Sequence, residues 1–213
     1  MRMNVYPEIE KIAEMNAEMK SVLLSVNSHW CSMILNGEKT LEVRKTRPKI
    51  ETPFKCYIYC TKLGPYLVIG DKMVGDGYME KKYCTTYGYS REEADRIWGV
   101  MNGKVICEFT CDKIERCGIP YPAYQKELPD RFVKESCVMY YDLHEYARHD
   151  DLYFWHITTL KIYDDPRKLS EFSSGSSRFE ISDTEDGLCS KRRRMERPPQ
   201  SWCYVHDEKG AQE

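Results

Sequence analysis

The chain has 213 residues, 41% of them hydrophobic and 31% charged, with a net charge of −2. That composition supports one folded domain and excludes a disordered chain, and the balanced charge excludes a broad basic field that tracks nucleic-acid phosphates. No apolar run approaches the roughly 20 residues of a membrane helix and residues 1–20 lack the apolar stretch of a signal peptide, so a cytoplasmic protein with reduced cysteines is expected.

Residues 1–20 read as a helical appendage, with Pro7 at a helix start and Ile9, Ile12, Ala13 and Met19 among charges. Ser21 to Val26 is a short apolar, β-branched run and predicts a buried strand. Asn27 and Ser28 are good N-cap residues; Trp30, Met33, Ile34 and Leu35 follow at helical spacing, and Asn36-Gly37 ends a short helix. Thr40 to Lys45 alternates, with Leu41 and Val43 on one face and Thr40, Glu42 and Arg44 on the other. Phe54 to Thr61 alternates as strongly, with Phe54, Cys56, Ile58 and Cys60 opposite Tyr57 and Tyr59.

Residues 62–89 are rich in Gly and Tyr with weak periodicity and read as an insertion or long loop. Ser90 opens an SxxE capping box before a helix carrying Ala94, Ile97 and Trp98. Lys104 to Ile114 predicts another alternating strand, and Pro120, Pro122 and Pro129 mark a second irregular insertion. Leu143 to Arg148 suits a short helix and Leu152 to Tyr163 a long aromatic strand; Asp165-Pro166 opens a helical turn towards Phe172. Residues 173–191 are rich in Ser, Gly and acids and read as a linker, followed by the basic run Lys191 to Arg194. Ser201 to His206 predicts a last strand. The domain layout is thus an appendage at 1–20, a body at 21–172 with insertions near 62–102 and 115–150, a linker at 173–194 and a closing strand at 195–206. Consecutive strands with short links favour a mixed or antiparallel barrel over a doubly wound sheet.

Several familiar chemistries are disfavoured. Cys56 and Cys60, like Cys107 and Cys111, are four apart on strand-like runs, there is no CxxC pair, and the thiols read as small core hydrophobes. Ser201 has no GxSxG context, and Gly70 to Gly77 is no phosphate-binding loop because GK[ST] is missing. Lys191 to Arg194 reads as solvated charge, and His156 is open between a buried residue and a cleft residue. No metal and no cofactor is expected. The best constellation lies early. Lys39 follows the helix-ending Gly37, and Glu42 and Arg44 project to one side of a strand, roughly 7 Å apart at the backbone. An arginine forks onto phosphate or stacks on a base, a glutamate accepts from a base amino group or moves a proton, and a desolvated lysine is a base or nucleophile. A solvated Glu-Arg pair fits the same spacing.

Residues 22–48 resemble the opening of ASCH-domain proteins of the PUA-like superfamily: an apolar strand, a helix with an aromatic near its start, then G-x-K-[ST]-x-E-x-R-[KR], here Gly37, Lys39, Thr40, Glu42, Arg44 and Lys45. Residues 55–61, 152–172 and 197–205 resemble later strands of bacterial and prophage members, and the match covers about half the chain. The resemblance implies an α+β fold, a PUA-like mixed β-barrel of five to six strands with short flanking helices. It implies RNA or nucleotide binding in a cleft beside the motif, through Trp30, Lys39, Thr40, Glu42, Arg44, Lys45, Ser201, Trp202 and Tyr204. Some small members of similar fold are amidohydrolases on acetylated cytidine, with a catalytic Lys that corresponds to Lys39 and a Thr where this chain has Glu42. In an enzyme reading Lys39 and Glu42 are catalytic, with Glu108 a candidate for a further acid. A third reading, a protein-interaction module, rests on the Tyr-rich insertions at 62–89 and 115–140.

Overall fold

The computed structural model describes residues 21–74, 78–118, 128–148, 150–174 and 193–208, with side chains left undescribed at 71–81. The helix expected within 1–20, most of the linker, Pro120, Pro122 and Lys191 lie outside the described residues.

The apolar run at the start forms β1 (Ser21–Val26), and its position is central. It pairs in parallel with β3 (Phe54–Cys60) and antiparallel with β12 (Trp202–Asp207). Because both neighbours are strands and both faces are covered, β1 is buried from Val22 to Val26. Val22, Leu24 and Val26 enter the main core with Phe54, Cys56, Ile58 and Cys60, while Leu23 enters a second core on the other face with Tyr57 and Tyr59. The two-residue period of β3 thus sets its cysteines against α1 (Ser28–Leu35) and its tyrosines against Phe172 and Val205. Burying each large aliphatic chain contributes about 1.5–3 kcal/mol, so this central pair anchors the fold.

Helix α1 begins where Asn27 caps it, its side chain accepting from the Trp30 backbone N–H at 3.1 Å. Cys31, Ile34 and Leu35 make its buried stripe. Gly37 then adopts φ +73°, which lets the chain reverse: the backbone N–H groups of Glu38 and Lys39 both donate to the Met33 carbonyl. The chain enters β2 (Leu41–Arg44) directly.

Seven strands form one sheet in the order β11-β10-β12-β1-β3-β6-β9, with β6 at Val105–Cys111, β9 at Thr158–Arg167, β10 at Phe172–Ser174 and β11 at Arg193–Arg194. Three form a second sheet, β2-β8-β7, with β7 at Ile114–Gly118 and β8 at Asp151–His156. The remaining two, β4 (Tyr66–Val74) and β5 (Tyr78–Thr86), pair as a hairpin. The fold is α+β as expected, but the closed barrel of five to six strands is not found. Among the described residues there are twelve strands, and no ladder joins the edge strands β11 and β9 or links the two larger sheets.

The extra strands come from segments of weak periodicity. The span 62–89, expected as an insertion or loop, is largely the β4/β5 hairpin. Gly70 interrupts its pattern for a packing reason, since a Cβ there would stand 2.8 Å from the Cys84 sulfur. Within the second expected insertion, β7 pairs with β8, and α3 (Asp130–Ser136) and α4 (Tyr140–Ala147) cover the second sheet. Helix α2 (Arg91–Trp98) has the expected Ser90/Glu93 capping box and buries Ala94 against Val68 and Val100, leaving Ile97 exposed. No helix among the described residues is long and apolar enough to cross a membrane.

Candidate functional site

Strand β2 positions the site by its pleat. Leu41 and Val43 face α3 and α4, where they pack with Phe132, Leu143 and Phe154. Glu42 and Arg44 face the opposite way, towards the end of β1. These charged residues are buried: Lys39 is 2% exposed, Glu42 6% and Arg44 8%. Buried charge is stable only when paired and hydrogen-bonded, and the triad is both. Lys39 Nζ donates to the Ser136 carbonyl at 2.7 Å and lies 3.6 Å from Glu42 Oε2. Arg44 Nη2 donates to the Ser25 carbonyl at 2.9 Å and bonds Glu42 Oε1 at 2.9 Å.

The three side chains line a cavity of about 340 Å³ between the end of β1, the start of α1, β2 and α4. Trp30 forms one wall, its ring centroid 5.2 Å from Lys39 Nζ. Ser25, Asn27, Val138, Asp142, Leu143 and Tyr146 also line the cavity, with Val26 and Val43. The volume is at the lower end of the roughly 300–1,000 Å³ of small-molecule pockets.

Burial pulls the pKa of Lys39 down from its ordinary value of 10.5, and the Glu42 carboxylate opposes that shift. Burial pushes the Tyr146 phenol up. The hydrogen-bonding capacity is unequally used. An ammonium has three donors, and Lys39 directs one to Ser136. A carboxylate has about four acceptor positions, and Glu42 meets two cations. Arg44 is engaged with protein groups through Nη2, and Nη1 lies 3.4 Å from Ser201 Oγ. Its buried Nε has no hydrogen-bond partner among the described residues. Arg44 therefore orients Glu42, while Lys39 and Glu42 retain capacity towards the cavity.

Of the residues expected at the site, Trp30, Lys39, Glu42 and Arg44 come together in this cavity. The others are placed differently. Thr40 is exposed, and its backbone ties β2 to the Glu135 carbonyl and the Ile157 N–H. Lys45 points out over Tyr146, 5.2 Å from its ring centroid, in the adjoining groove. The Ser201 hydroxyl accepts from Arg44 at 3.4 Å and its carbonyl accepts from the Ser25 N–H at 3.0 Å, and Ser201 does not line the cavity. Trp202 donates from Nε1 to Thr46 Oγ1 at 2.9 Å, and the Tyr204 hydroxyl accepts from the Lys49 N–H at 2.7 Å. Both aromatics pin the loop after β2 and do not line the cavity. His156 Nε2 is 2.7 Å from Glu115, and Glu108 accepts from the Tyr163 hydroxyl at 2.7 Å; neither lines the cavity.

The residues that sequence reasoning misses are those of α4, chiefly Asp142 and Tyr146. Their signal is present but faint. Asp142 and Tyr146 are four apart, beside the buried pair Leu143 and Ala147, so one helix face is apolar and its shoulder is polar.

No family sequence model matches the chain, and no curated protein matches it in sequence. Among solved structures, a serine-to-alanine mutant of ZmASCH from Zymomonas mobilis aligns with a TM-score of 0.51 at 13% identity, over 91% of this chain and 94% of that one. A tyrosine-to-phenylalanine mutant of the same protein aligns at 0.50 and 13%, over 90% and 94%. At that identity the likeness is one of backbone architecture, extending over nearly the full length of both chains. This chain has the fold of those ZmASCH structures.

Proposed function

We propose that the protein binds RNA or a nucleotide by taking one base into the cavity between β2, α1 and α4. The observation that carries this reading is the pair Lys39 and Glu42, buried, 3.6 Å apart and facing a hollow walled by Trp30. A nucleobase edge carries acceptors beside donors. Lys39 offers only donors and Glu42 only acceptors, so the pair matches such an edge, while the indole offers a stacking face. The ASCH fold supports the same reading, because the family is generally proposed to bind RNA. The modest charge balance agrees with a pocket for an unpaired base and not with a phosphate-tracking surface.

The test is calorimetric titration with the four ribonucleosides and their monophosphates, on the wild type and on Lys39→Met. Hydrogen bonds to charged groups contribute about 1.5–3 kcal/mol, so the variant should bind roughly tenfold or more weakly. Equal affinity in the two proteins would remove Lys39 from the site.

The lowered pKa of Lys39 favours a second reading, a hydrolase acting on a modified nucleoside or on RNA. A desolvated amine beside a carboxylate is suited to proton transfer. Turnover of an acylated nucleoside or an oligoribonucleotide, lost in Lys39→Met, would support it. Tight binding without turnover across that panel would leave the binding reading alone.

A further inference from the structure

We infer that the cavity is the first of two nucleotide positions on a single RNA strand, and that the groove beside it holds the next ribose and phosphate. This inference rests on the reading that the cavity takes a base. The groove has a volume of about 370 Å³ and is lined by Lys45, Asp142, Glu145, Tyr146 and Arg148. It shares Asp142 and Tyr146 with the cavity, so a chain can pass from one to the other along α4.

The pleat of β2 creates the junction. Successive side chains alternate, so Arg44 turns into the cavity and Lys45 turns outward over Tyr146. Among the described residues, no carboxylate lies within 4 Å of the charged nitrogens of Lys45 or Arg148. Two such cations on a concave wall are available to a phosphate. Arg148 is held at the end of α4 in a left-handed conformation, φ +49°, its N–H donating to the His144 carbonyl. Tyr146 is 42% exposed and lines both hollows, so its ring stands between them. A ring so placed offers a face to a ribose or to a second base.

The acids select the ligand further. Asp142 and Glu145 balance the two cations, so the groove is unsuited to a di- or triphosphate and suited to the single charge of a phosphodiester. A carboxylate accepts hydrogen bonds and repels phosphate, so Asp142 at the junction suits a ribose hydroxyl. The 2′-hydroxyl is the group that distinguishes RNA from DNA, so the preferred ligand is a ribo- and not a deoxyribo-strand.

The test compares, by titration of the full chain, each ribonucleoside with its dinucleoside monophosphate, the deoxy counterpart and the nucleoside triphosphate. The ribo-dinucleoside monophosphate should bind roughly tenfold tighter than the nucleoside, with a log–log salt slope near −0.7, as one single-strand phosphate gives. The double variant Lys45→Ala, Arg148→Asn should abolish that gain; Asn is chosen because it tolerates the left-handed backbone at position 148. Asp142→Asn should erase the preference for ribose. Nucleoside binding with no gain for the dinucleotide, a gain that survives the double variant, or tighter binding of triphosphates would overturn the second position and leave the cavity reading standing. Absence of binding by nucleosides and dinucleotides alike would overturn both.

Discussion

Two charged clusters flank the strands of this protein, and they differ in what their charges face. On one side, Arg167 forks onto Asp207, with Nη1 at 2.6 Å, and its Nε bonds Glu171 at 3.1 Å. Tyr57 donates to the same aspartate, and the guanidinium lies 4.5 Å from the centroid of Phe172. That network ties β3, β9 and β12 and directs each of these groups onto another side chain. On the other side, Lys39, Glu42 and Arg44 are more deeply buried, yet Lys39 and Glu42 border a cavity with unused bonding capacity. The contrast is between charges directed onto one another and charges that front an open space. The informative feature is a buried ion pair that fronts a space of ligand size.

The sharpest way to break this comparison is to remove the central anion. Glu42→Ala leaves both Lys39 and Arg44 buried without their carboxylate, and uncompensated buried charge destabilises by about 3–5 kcal/mol. Denaturant unfolding should show that loss. Asp207→Ala, in the less buried cluster, leaves Arg167 its Glu171 partner and should cost less, about 1–3 kcal/mol. Equal losses would mean that the two clusters are equivalent supports. Lys39→Met sharpens the contrast differently, because Glu42 keeps Arg44; stability should change by less than about 1.5 kcal/mol while ligand affinity falls.

The alkaline range separates the clusters again. Burial lowers the Lys39 pKa, so between that value and 10.5 the unfolded chain holds a proton that the native protein has released. Stability from this group therefore rises with pH across that window; the cost of burying the ammonium is full below it and absent above it. The buried thiols act in the opposite sense: burial raises Cys203 to about 11 and Cys31 and Cys56 well above 9.0, so from pH 9 upward they favour the unfolded chain. The net curve should fall, but the difference between wild type and Lys39→Met should rise with pH. A flat difference would contradict a desolvated Lys39. The smallest effect is expected at the turn that delivers Lys39. Gly37→Ala meets no atom within 4 Å, yet forces a Cβ onto φ +73°, and should cost about 1 kcal/mol in thermal unfolding.

Half of the cavity is legible in the sequence, for a physical reason. The two-residue period of β2 separates Leu41 and Val43 from Glu42 and Arg44, and Gly37 marks the reversal that places Lys39 beside them. The other half comes from α4, far along the chain, and no periodicity links Asp142 or Tyr146 to β2. Trp202 and Tyr204 are expected at the ligand because they are aromatic and close a sequence motif. Since β12 runs beside β1, their polar atoms instead hold Thr46 and Lys49. The β4/β5 hairpin escapes sequence reasoning because Gly70 breaks the alternation for the sake of Cys84.

The most direct test of the central claim is a crystal structure of the protein soaked with the best-binding ribonucleoside. The account predicts a base lying against Trp30 with its polar edge within hydrogen-bond distance of Lys39 Nζ and the Glu42 carboxylate. A nucleoside seated elsewhere, with only water between Lys39, Glu42 and Trp30, would contradict it.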